Sequence, residues 1–133
     1  MKVSLLVAAL MVATSCSTSG KHASGSSEQR VWSSSELNSR ARELDGVELV
    51  VDAYLIHEPE NYGLWDSEQA ARQGKPSACI SLIYPKAIAG QVIASNRRQV
   101  RLRGTFVRNV TADSGIYLGL CNYTGLRVAE VLR

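Results

Sequence analysis

The chain has 133 residues, of which 45% are hydrophobic and 20% are charged. Fifteen basic residues against twelve acidic ones leave a net charge of +3, too small a balance to mark a polyanion binder by itself. No apolar run reaches the roughly 20 residues that a membrane-spanning helix needs.

The N-terminus reads Met1-Lys-Val-Ser-Leu-Leu-Val-Ala-Ala-Leu-Met-Val-Ala-Thr-Ser-Cys16. One positive charge, Lys2, precedes a short apolar run. Small residues follow, then a cysteine. This is the layout of a secretory signal, so residues 1–15 are set apart from fold reasoning. Val12-Ala-Thr-Ser-Cys16 resembles the lipobox of bacterial lipoproteins, with Ala13 where leucine is usual. The resemblance implies cleavage before Cys16 and acylation of Cys16 by chains such as palmitate. Buried acyl carbons at about 0.8 kcal/mol each make several chains a firm anchor. Ser17, rather than aspartate, implies sorting to a cell outer membrane where there is one. The alternative is a plain secretory signal. Residues 16–32 are rich in serine and glycine, and behave as a lipidated flexible tether. His22 is a solvated residue of that tether.

Residues 33–133 form one domain with a single modest core. Ser33 and Glu36 have the spacing of a capping box, and Trp32 with Leu37 that of a hydrophobic staple. Leu37, Ala41 and Leu44 share a helical face and Gly46 is a stop, which predicts a helix over residues 34–45. From residue 47 to 56 the period becomes two. Val47, Leu49, Val51, Ala53 and Leu55 face one way, as in a half-buried strand. A second strand covers residues 63–66. Residues 67–74 make a helical turn, ended before Pro76. A third strand covers residues 78–84. Pro85 then starts a short helix over residues 85–94. Residues 99–108 form the fourth strand. The fifth runs through Ile116, Leu118 and Leu120, and residues 126–131 extend it.

This order, with a helix between the third and fourth strands and Gly104 in the fourth, resembles the OB-fold. The resemblance implies a mainly β domain: a five-stranded OB-like Greek-key barrel with one helix between strands three and four and another at its N-terminus. The residues of Gly46–Ile56, Leu64–Ser67, Cys79–Leu82 and Gly119–Asn122 are also similar to small exported bacterial proteins of uncharacterised activity.

The charge is uneven. Residues 97–133 hold seven arginines against Asp113 and Glu130. Neighbouring first and fourth strands would set Glu48 and Asp52 against Arg101 and Arg103, each pair worth about 0.2–1 kcal/mol. That pairing is preferred to a nucleic-acid surface. Cys79 and Cys121 remain once Cys16 is lipidated. Outside the cytoplasm two such cysteines favour a disulfide, and neighbouring third and fifth strands permit it. The rivals are a metal site using Cys79, Cys121, His57 and an acid, and a cysteine nucleophile with His57 as base. No close ligand pair or supporting spacing favours either. Asn109 and Asn122 begin chance sequon matches. The connection from His57 to Ser67 is the candidate binding loop, with Glu58, Glu60, Tyr62, Trp65 and Asp66. OB-folds use this connection for ligands, and aromatics among acids suit a sugar or a basic partner. Against that, Trp65 can be core and the acids solvent-facing.

The expected function is therefore non-catalytic. It is a membrane-anchored lipoprotein on the periplasmic side of the envelope, binding or scaffolding an envelope protein or glycan without a cofactor. The alternative is an inhibitor of an exported lytic enzyme; a hydrolase ranks third. Mass spectrometry of the mature chain checks the anchor: Cys16 is expected to carry acyl mass, and Cys16→Ser to abolish it and release the protein from the membrane fraction.

Overall fold

The computed structural model describes residues 28–114 and 120–132. The signal, Cys16, and the expected strand residues Ile116 and Leu118 lie outside them. The described chain is mainly β, a six-stranded mixed sheet with a few short helices. Among the described residues no helix is long and apolar enough to cross a membrane.

In chain order the elements are β1 (Val31–Trp32), α1 (Ser34–Ser39), α2 (Ala41–Leu44), β2 (Glu48–Glu58), β3 (Asn61–Trp65), α3 (Glu68–Gln73), β4 (Cys79–Ile83), α4 (Ala89–Ala94), β5 (Arg98–Val107), α5 (Thr111–Ser114) and β6 (Gly125–Leu132). Single 3-10 turns precede β4 and α4. β2 is antiparallel to β5 from Glu48 to Leu55. Its other edge is shared by β1, parallel at Val50–Val51, and β3, antiparallel from Tyr54 to Glu58. β3 pairs β4, β4 runs parallel to β6, and β6 is antiparallel to β5. Followed from neighbour to neighbour, β2, β3, β4, β6 and β5 lead back to β2.

The alternation of β2 sorts its side chains. Leu49, Val51, Ala53 and Leu55 enter the main core with Leu64, Ile80, Leu82, Leu102, Phe106, Leu126 and Val128. Helices close this core from outside the sheet. α1 begins with the expected capping box, Ser33 accepting from the Glu36 amide and Glu36 from the Ser33 amide. Trp32 and Leu37 both join the core. The helix is then fastened by side chains. Ser34 Oγ donates to the Leu64 carbonyl at 2.7 Å. Asn38 donates to the Ser77 and Cys79 carbonyls at 2.8 and 2.9 Å, and accepts from the Thr124 hydroxyl at 2.5 Å. α4 contributes fully buried Val92.

Three expectations need correction. The described residues hold six strands, because Val31 and Trp32, expected in the tether, already pair with β2. The single helix over residues 34–45 is broken at Arg40, whose ψ of 25° leaves the helical region. The helix after β4 starts as a 3-10 turn, with Pro85 extended before it. Residues 115–119 lie outside the described chain, while the later part of the expected fifth strand, over residues 126–131, is borne out as β6. Before it, Asn109 Oδ1 accepts from the Thr111 amide and hydroxyl, which starts the turn of α5; Leu120 is 57% exposed in irregular chain. Gly104 does have a structural role. The β5–β6 register shifts there, and a Cβ on Gly104 would fall onto the Arg127 carbonyl.

The cap generates a pH dependence. The Glu36 carboxylate is held below its ordinary value by the Ser33 backbone N–H, then by the Ser33 side chain and Arg30. Its contribution is present above the ordinary carboxylate range and is lost as pH falls through the lowered value. Urea denaturation across the acid range should show Glu36→Gln flattening this loss. Ser33→Ala should cost about 1 kcal/mol.

Candidate functional site

The expected loop over residues 57–67 is a tight hairpin. β2 runs to Glu58 and β3 begins at Asn61, with His57 opposite Tyr62 and Glu58 opposite Asn61. Only Pro59 and Glu60 turn, and Glu60 takes a left-handed φ of 63°. Tyr62 is 41% exposed. Its ring meets His57 edge-on, centroids 4.8 Å apart. His57 is fixed in turn. Its Nε2 is 2.5 Å from the Tyr84 hydroxyl, and its backbone N–H donates to Asn96 Oδ1 at 2.7 Å. Tyr84 packs against the main core. An exposed aromatic thus stands on a support two residues deep.

The other expected binding residues separate. Glu58 pairs with Arg97 at 2.6 Å, which raises the Arg97 guanidinium above its ordinary value. Asp66 Oδ1 accepts from the Ser35 amide at 2.9 Å, a second cap on α1. Trp65 is fully buried, in agreement with the core reading set beside the binding one. The neighbouring parity explains this: Trp65 lies opposite both Tyr54 and Cys79, on the side of the sheet away from the main core.

There it joins a second cluster. Trp65, Cys79 and Cys121 are its buried members, with Tyr54, Ile56 and Ala71 packed against them. Cys79 and Cys121 form the expected disulfide, their Cα atoms 4.9 Å apart. Gly63 makes room for it. A Cβ there would lie 2.8 Å from Cys121 Sγ and from Trp65 Nε1, and 2.9 Å from Cys79 Sγ. Trp65 Nε1 is buried with no hydrogen-bond partner. The bridge consumes both thiols that the metal and nucleophile readings required. Among the described residues no group of three His, Cys, Asp or Glu side chains is placed to hold a metal.

α3 lies over this cluster. It is capped by the Ser67 side chain and ends at left-handed Gly74, as its sequence predicts. Between α3 and the strands is a groove of about 290 Å³, lined by Tyr54, Ile56, Glu68, Ala71, Arg72 and Arg97. On β5, Arg101 meets Asp52 as expected, at 3.3 Å. Arg103 instead takes Glu130 of β6 at 2.7 Å, while Glu48 lies opposite Thr105. The sequence reading missed Tyr84, Asn38 and Arg97. Tyr84 continues the inward period of Ile80 and Leu82; the other two carry no local signal.

Packing and exposure separate experimentally. Trp65→Ala should lower the unfolding free energy by about 3–5 kcal/mol, and Tyr62→Ala by about 1 kcal/mol or less. Serine at both Cys79 and Cys121 should cost about 4 kcal/mol on the chain-entropy account. The oxidised chain, denatured without reductant, should yield no reactive thiol from this pair.

No family model, curated protein or solved structure matches the chain.

Proposed function

We propose that this chain is a lipid-anchored, non-catalytic module of the bacterial envelope, attached through Cys16 to the outer membrane and binding a protein or glycan on its periplasmic side. The proposal includes the finer fold, in which β2 to β6 close as an OB-like barrel and β1 adds a short sixth strand. The cyclic order of pairings supports that closure, as does the parallel pairing of β4 with β6. The apolar N-terminal run ending at Cys16 supports export and anchoring.

The observation that carries the binding role is Tyr62. A large ring exposed at a hairpin end ordinarily loses rotamer freedom when a partner covers it. Here His57, itself braced by Tyr84 and Asn96, has already restricted it. Such preorganisation lowers the entropic cost of association. Tyr62 also offers a stacking face and a hydroxyl, the combination that favours tyrosine at recognition surfaces.

The test is site-specific photo-crosslinking in intact cells, with the photoreactive residue at Tyr62 or, as a control, at Glu130 on β6. The expected result is envelope protein or glycan adducts from Tyr62 that Glu130 does not give. Equal yields from the two positions, or no adduct from Tyr62, would reject the hairpin as the contact.

A further inference from the structure

From the chemistry of the groove beneath α3, we infer that it is a binding site for an uncharged sugar ring of a glycan. The inference rests on the glycan arm of the proposed function but assigns a different surface from the hairpin end.

The floor is apolar and partly open. Tyr54 and Ile56 project from the outer face of β2 and pack on Trp65 and the disulfide, yet neither is fully covered. Ala71 of α3 forms the facing wall. A small side chain there leaves the space that a longer one would fill. The volume, about 290 Å³, falls just below the ~300–1,000 Å³ usual for small-molecule sites. That suits one ring of a chain better than a large ligand.

The rim determines the class of ligand. Arg97 and Arg72 stand at the groove, 68% and 77% exposed, each already paired with a carboxylate. Arg97 commits its Nε to Glu58, and Arg72 one terminal nitrogen to Glu68, both at 2.6 Å. The two pairs leave the rim with no net charge. A phosphate or carboxylate would meet Glu68 on the rim and guanidiniums already engaged by Glu58 and Glu68; an ammonium group would meet the guanidiniums. Each pair nonetheless retains hydrogen-bonding capacity, since a guanidinium has five donors and a carboxylate about four acceptor sites. Guanidinium donors and a carboxylate acceptor beside a floor that includes the Tyr54 ring match the vicinal hydroxyls of a sugar, which both donate and accept. The pairs also hold the long side chains in place before binding, reducing the ordering cost.

The test is a nitrogen-labelled NMR titration of the full chain carrying Cys16→Ser. The probes are two neutral trisaccharides, chitotriose and cellotriose, and the anionic trigalacturonate. Weak binding in the millimolar range is expected for so small a ligand. A neutral trisaccharide should shift the amides of Tyr54, Ile56, Ala71 and Arg97, and trigalacturonate should shift them less. The double variant Glu68→Ala/Arg72→Ala changes only exposed side chains and should weaken binding about tenfold or more. Tyr62→Ala should leave this titration unchanged. The inference is overturned if neither neutral trisaccharide shifts the groove amides, if the double variant binds as well as the parent, or if trigalacturonate binds more tightly. Tyr62 crosslinks without groove shifts would retain the binding module and remove the sugar site. Groove shifts without Tyr62 crosslinks would keep the sugar site and remove the hairpin end as a contact.

Discussion

Strand β2 is the constraint on which the rest depends. One edge is taken by β5 and the other by β1 and then β3. One face supplies Leu49, Val51, Ala53 and Leu55 to the main core. The other supplies Tyr54 and Ile56 to the cluster around the disulfide. A strand committed on two edges and two faces has little register freedom, because a slip by one residue would exchange both sets of side chains. The ladder to β5 and the hairpin to β3 therefore fix each other.

The second cluster depends on that register. Gly63 lies opposite Ile56, and Trp65 opposite Tyr54. The absent side chain at Gly63 leaves space that the disulfide and the indole occupy. Trp65, bulky and fully buried, then carries α3 above it through Ala71. Charge contributes little to this arrangement. The ion pairs of Arg72, Arg97, Arg101 and Arg103 are all partly exposed, and such pairs contribute about 0–1 kcal/mol each. They orient the surface more than they hold the fold.

What could be read in the sequence was local. Ser33 with Glu36, and Ser67 with Gly74, are signals that act within a few residues, and both helices follow them. β2 and β5 announce themselves by long alternation. β1 has only two residues, too few to show any period. The last strand alternates after Gly125, but the partners that fix it, β4 and β5, lie well back in the sequence. The candidate site shows the same limit. Tyr62 and Trp65 look alike as aromatics in one segment, but their parity sends them to opposite faces. The His57–Tyr84 contact joins positions 27 residues apart, and nothing in either neighbourhood announces it.

The order in which the strands are made bears on how the domain assembles. A ribosome releases β2, β3 and β4 as neighbours, able to pair by short connections. β5, which covers the whole first part of β2, follows some forty residues behind its partner. Cys121 follows Cys79 by 42 residues. Until β5 arrives, one edge of the longest strand lacks its native partner, and such an edge invites pairing with other chains. β1 lies on the opposite edge. Already made when β2 emerges, it can pair with Val50 and Val51, so that along this stretch only one edge of the nascent strand waits for its later neighbour.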